Sequence, residues 1–207
     1  MNKYHEKNIL AYDKKACGYD KTFDGKFTAK FKMLLIDSVL INAMFAGASP
    51  VSVLDVGCGN GAFLSKLSER KGVSGFGVDL SPQMIANAKA LYPSFVFEVS
   101  GCEAIPFDDN SMDIITVCAA YHHFPNVDAF AAEASRLLRT DGSLYVADIC
   151  LPAPIRAFVN LLMPLSKDGD VRVYSKKEIA STFEAFGFRL VNATTQGYVQ
   201  ILHFQKI

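Results

Sequence analysis

The chain has 207 residues, half of them apolar, with 21 basic and 21 acidic side chains that cancel in formal charge. That is ample apolar material for one core, without the basic excess that polyanion binding leaves on a sequence, so nucleic acid is not an expected partner. No run approaches the ~18–20 uninterrupted apolar residues of a membrane helix, since the richest stretch, residues 33–48, contains Asp37, Ser38 and Asn42.

The opening MNKYHEKNILAYDKK is polar and lacks the apolar core and cleavage site of a secretory signal, which points to the cytoplasm. In the first 37 residues eight lysines are interspersed with five carboxylates, the pattern of a solvated helix face. Residues 22–45 predict one long helix or two short ones. From Val51 onward, short β-branched or apolar runs at 51–56, 75–80, 95–99, 113–118 and 143–149 read as strands. Helical patterns fall between them at 61–71, 82–92 and 127–139, the second with Ser81 as N-cap and Pro82 in its first turn. Residues 103–111 leave room for only a brief crossover. Pro152 and Pro154 mark a break before a short apolar helix at 155–165 and a polar turn at 167–170. Ser175 caps a last helix, 176–186, ended by Gly187, and two strands at 188–194 and 198–205 meet at Gln196-Gly197 as an antiparallel hairpin. Strand–helix alternation predicts an α/β fold with a doubly wound, mostly parallel sheet that binds ligands at the carboxyl ends of its strands. One domain spanning 1–207 is expected, with a helical lid (1–48), a cofactor-binding core (49–150) and a substrate-side insertion with closing hairpin (151–207). The five cysteines, at 17, 58, 102, 118 and 150, are widely spaced and read as free thiols.

The strongest motif is VLDVGCGNG, residues 53–61. An apolar strand ends at Val56, and Gly57, Gly59 and Gly61 let the backbone turn tightly and lie bare against a ligand. Asp55 stands two residues before the first glycine. Asp79 ends the next strand, where an acidic side chain accepts hydrogen bonds from both hydroxyls of a ribose or, more plainly, caps the following helix. These two signals leave the cofactor open, because residues 57–62 also satisfy the dinucleotide pattern G-x-G-x-x-A.

Taken with CEAIPFDDNSMD (102–113), AAYHHFPN (119–126) and EASRLLRTDGSLYVAD (133–148), the chain resembles the class I S-adenosylmethionine-dependent methyltransferases. It is most similar to the group around the ubiquinone and menaquinone biosynthesis C-methyltransferases, whose motifs recur here in order over about 100 residues, with Tyr19-Asp20 matching that group's N-terminal Tyr-Asp. The resemblance implies a Rossmann-like seven-stranded sheet with an antiparallel last strand, S-adenosylmethionine as cofactor, S-adenosylhomocysteine as product and a small-molecule acceptor. It also implies that Asp55, Gly57, Cys58 and Gly59 line the methionine part, that Asp79 holds the ribose, and that Leu80 and Met84 lie near adenine. Cys102 and Glu103 would meet the adenine edge, Cys118 or Ala119 would face the amino-acid end, and Tyr19 would close over it. One departure stands out: Gly101 occupies the place where the group has an aspartate for the adenine amino group, leaving Glu103 as a possible substitute.

His122-His123 follows the fourth strand, where substrates approach in the family. Either can take a proton near neutral pH, and either can instead shape the loop by donating to a carbonyl. Adjacent histidines without a placed carboxylate make a poor chelate, so no metal is expected. The acceptor is expected between the N-terminal segment, the loop 122–125 and the insertion 152–173, where Phe158, Leu161, Leu162, Met163 and Tyr174 suit either an apolar pocket or core. A non-catalytic cofactor-binding module, a nicotinamide oxidoreductase and methylation of a macromolecule are the rival readings; the oxidoreductase lacks a Tyr/Lys or Cys/His constellation, and neutral charge counts against a nucleic-acid acceptor but not a protein one. Nothing in the sequence sets the oligomeric state.

Overall fold

A computed structural model describes residues 2–43, 50–70 and 72–207. Seven strands, β1 (Val51–Val56), β2 (Val73–Asp79), β3 (Val96–Val99), β4 (Met112–Cys118), β5 (Leu138–Ile149), β6 (Phe188–Gln196) and β7 (Val199–Lys206), form one sheet in the order β3-β2-β1-β4-β5-β7-β6. The first five run parallel, while β7 pairs antiparallel with both β5 and β6. The order reverses at β1, so the carboxyl ends of β1 and β4 diverge there and open a crevice. Val53, Leu54 and Val56 of β1 are all buried, as a central strand covered on both faces requires.

The cover comes from helices on each side. Phe31 and Leu35 of α2 (Phe23–Ala43), Phe63 and Leu64 of α3 (Ala62–Ser68) and Ile85 and Ala88 of α4 (Pro82–Leu91) fill one face. Phe130, Ala134 and Leu137 of α5 (Val127–Leu137) and Ile179 and Phe183 of α7 (Lys176–Glu184) fill the other. Burying an aromatic or leucine side chain of this kind contributes roughly 1.5–3 kcal/mol, so the two apolar layers hold the sheet rigid beneath its loops. Ser81 caps α4 by accepting from Met84 N, and Ser175 with Glu178 forms a capping box on α7.

Three sequence expectations shift. The helix 127–139 ends at Leu137, and β5 begins at once, because Leu138 is buried and extended beside Met112; burial there overrides the helical propensity of the Arg-Leu-Leu-Arg run. The apolar helix placed at 155–165 is α6 (Ala153–Leu162) followed by a 3-10 turn, Met163–Leu165, since a proline is tolerated in a first helical turn. Phe158 and Leu161 on α6 are 64% and 74% exposed, so they line neither pocket nor core, whereas Tyr174 packs on Tyr121 with ring centroids 5.1 Å apart. The expected helix ends at residues 44–45 and 71 lie outside the described residues.

The solvated N-terminal face is a helix of its own, α1 (Lys3–Lys15), capped by Asn2. It is stapled over the carboxyl edge of the sheet. Asp13 accepts from Ser81 Oγ, Ala16 O accepts from Asn87 Nδ2 at 3.0 Å, and Lys15 bridges Asp24 and Asp168 at 2.7 and 2.8 Å. Among the described residues no helix is long and apolar enough to cross a membrane.

Candidate functional site

At the carboxyl end of β1 the chain folds back on its neighbour: the N–H groups of Gly57 and Cys58 both donate to Val78 O, at 2.8 and 3.0 Å. Gly57 has φ +76°, and a Cβ there would stand 2.6 Å from Ala120 Cβ, so only glycine fits. Gly59 has φ +53° with no atom within 4 Å of where its Cβ would be, leaving bare backbone under open space. Asp79, at the end of β2, accepts from Gly59 N at 2.8 Å through one oxygen and from Ser81 N at 2.9 Å through the other. Burial raises its carboxyl above the usual range against those two donors.

These groups border a cleft that is open to water at its mouth. Of the residues named from sequence, Tyr19, Gly57, Cys58, Gly59, Asp79, Leu80, Cys102, Cys118, Ala119 and His123 line it. Ala119 holds a left-handed φ of +53°, uncommon for a residue with a side chain, and its N–H donates to Ala147 O. Four others do not line it. Asp55 is buried beneath the turn, accepting from Thr116 Oγ1 at 2.7 Å, and burial pushes its carboxyl up to about 7. Met84 packs under Tyr19 with Ala16. Glu103 meets His5 Nε2 at 3.2 Å, and its other oxygen lies 2.7 Å from where a Cβ on Gly101 would be. His122 does not line the cleft. Burial pushes the thiols of Cys58, Cys102 and Cys118 up, which makes them poor nucleophiles.

The lid supplies lining residues that sequence reasoning missed. His5, Asn8 and Tyr12 of α1 and Thr28 and Lys32 of α2 face the cleft, and their spacings of three and four residues, one helix face in each case, were the available signal. Asn60 Nδ2 ties the glycine turn to Asp20 of the lid at 2.8 Å.

The histidine pair sits on a 3-10 turn, Tyr121–His123. Asp148 of β5 accepts from His122 twice, from its backbone N–H at 2.9 Å and its Nδ1 at 2.7 Å. Burial opposes charge on His122, yet Asp148 wins and holds the imidazole above its ordinary value; His123 is pushed well below by burial and by its neighbour's charge. His123 Nε2 is 3.0 Å from Tyr12 Oη. Both rings face Asp170, a carboxylate on the loop before Val171 that the fold brings to the pair from far along the chain.

Residues 54–146 match the methyltransferase domain family. The chain is 35% identical over 120 residues to 2-methyl-6-phytyl-1,4-hydroquinone methyltransferase of Synechocystis sp., covering 55% of this chain and 38% of that one. It is 29% identical over 106 residues to demethylmenaquinone methyltransferase of Chlorobaculum tepidum, covering 51% and 44%. The chain thus spans less than half the length of these curated relatives. The crystal structure of the YcgJ protein from Bacillus subtilis superposes with a TM-score of 0.70 at 21% identity, over 86% of this chain and 98% of that one. Sheet order, glycine turn and structural match together define a Rossmann-like methyltransferase fold. Within that fold the chain resembles the ubiquinone and menaquinone group of methyltransferases.

Proposed function

We propose that this protein transfers a methyl group from S-adenosylmethionine to a small-molecule acceptor. The observation that carries the reading is Asp79: a half-buried carboxylate at a strand end, both oxygens fixed by backbone N–H groups, beside bare glycine backbone in an open cleft. An acidic group so placed, with lone pairs left over, suits the two hydroxyls of a ribose.

S-adenosylmethionine, when bound, supplies a methyl already activated on a sulfonium, so the protein has to hold the partners in line and keep water out. Gly57, Cys58 and Gly59 would lie against the methionine portion with Asp55 beneath. Lys32, only 13% exposed at its side chain, would face the carboxylate of that portion, and Tyr19 would cover it from the lid. Leu80 and Cys102 would border adenine, with Met84 supporting from behind. Glu103 takes up the space beside Gly101 and would stand in for the missing acidic side chain there. The acceptor would enter between Tyr12, His123, Phe124 and Pro125. That aromatic rim, and the hydroquinone and menaquinone named for the relatives, favour an oxygenated ring. Of the two histidines, His123 borders the acceptor side, while His122 positions the turn through Asp148.

Calorimetric titration of the purified protein with S-adenosylhomocysteine, with NAD as control, tests the reading. Micromolar binding of the former alone is expected. Preference for NAD would return residues 57–62 to the dinucleotide pattern and end the methyl-transfer reading.

A further inference from the structure

We propose that His122, His123 and Asp170 bind one divalent metal ion of the zinc class at the edge of the cleft. Among the described residues these three bring one donor atom each within 4.8 Å of one another. His123 Nδ1 is 3.1 Å and His122 Nε2 3.7 Å from Asp170 Oδ1. Those separations bracket the about 3.3 Å expected between donors around a tetrahedral ion with bonds of roughly 2.0–2.1 Å.

Each donor is oriented by a partner on its far atom. His122 gives its Nδ1 proton to Asp148 at 2.7 Å, which turns the Nε2 lone pair toward Asp170. His123 meets Tyr12 Oη through Nε2 at 3.0 Å, leaving Nδ1 on the side of Asp170. Asp170 accepts from Ser166 Oγ through Oδ2, leaving Oδ1 toward the imidazoles. Carboxylate or hydroxyl partners on the remote nitrogen are what fix metal-binding imidazoles in place. The ligand loops are also joined to each other, because His122 O accepts from Val171 N and Arg172 N at 2.8 and 3.1 Å. With both imidazoles neutral, as ligation to a metal requires, the carboxylates of Asp148 and Asp170 leave two negative charges for a divalent cation to balance.

Three protein ligands leave a coordination position open, as in catalytic zinc sites. His123 borders the cleft and the Asp170 side chain is a quarter exposed, so that position opens toward the acceptor side. It would take an oxygen of the acceptor, such as a phenol or enol. This use of the ion rests on the methyl-transfer reading; the ion site itself does not.

The test is titration of the chelator-treated full chain with Co²⁺, read by its visible d–d absorption, and with Zn²⁺ by calorimetry, beside an S-adenosylhomocysteine titration of the same sample. One ion per chain is expected, with cobalt bands of a four- or five-coordinate site. Asp170→Asn and His123→Ala should each weaken binding by about tenfold or more, and Tyr12→Phe by less. Absence of stoichiometric cobalt binding in wild-type protein that melts cooperatively overturns the site, whether or not the cofactor product binds. So does cobalt affinity unchanged in both ligand variants. Cobalt binding without S-adenosylhomocysteine binding keeps the ion site and removes the methyl-transfer reading.

Discussion

The two walls of the cleft are built in opposite ways. The glycine-turn wall is local: residues 57–61 and Asp79 follow one β-α-β passage, and their contacts are short backbone hydrogen bonds on rigid strands. The histidine wall is assembled from α1, the turn at 121–123, Asp148 of β5 and the loop around Asp170, and side chains hold it together. A site built on adjacent strand ends inherits its geometry from the sheet. A site gathered from four segments depends on how each packs, so it is free to vary while the fold stays fixed.

That contrast can be broken most directly at Asp79. Asp79→Ala removes the charged acceptor from the local wall, and we predict a loss of roughly 2 kcal/mol or more in S-adenosylhomocysteine affinity by calorimetry. An unchanged affinity would mean that the local wall does not hold the ligand. Gly169 offers the equivalent test of the assembled wall. It has φ +77°, and a Cβ would lie 2.6 Å from Tyr4 O, so the loop before Asp170 packs directly on α1. Gly169→Ala should cost about 1–3 kcal/mol of stability in denaturant unfolding, with S-adenosylhomocysteine affinity less affected than in Asp79→Ala.

Asp55 gives a pH signature of the local wall. Its carboxyl is raised from 3.8 to about 7 in the folded chain, so folding favours the protonated form. The stability this gives is complete below about pH 4 and is lost as pH rises through 7. Asp55→Asn keeps a neutral acceptor for Thr116 and should flatten the fall in melting temperature between pH 5 and 8. A parallel fall in both proteins would show that Asp55 is not the group responsible. The smallest effect is expected at Glu103, where Ala should weaken S-adenosylhomocysteine by only about 1 kcal/mol, because this side chain is shared with His5.

Legibility in the sequence follows the same division. The β1 strand is read from its run of Val, Leu and Val, and the glycine turn from its spacing, since both are short-range patterns. The seam between α5 and β5 was not legible, because Leu138 leaves the helix to satisfy a burial site set by Met112 on another strand. The place of Glu103 over Gly101 depended on a loop conformation that residue identity does not fix. Asp170 could not be paired with the histidines from sequence, since 3-10 turn, β5 and loop must all be in position before they meet. Tyr12 was nearer to hand, as the 5-8-12 spacing of α1 marks one face of a helix.

The staples of the lid carry a kinetic consequence. Lys15 spans Asp24 and Asp168, Lys32 reaches Asp20, and Asn60 joins Asp20 from across the cleft. A nucleoside-sized ligand leaving the pocket must therefore await release of several contacts, most of them between charges. Ionic strength loosens such partly exposed pairs, so ligand residence time, rather than the affinity of the inner wall, is the property of this protein that salt would set.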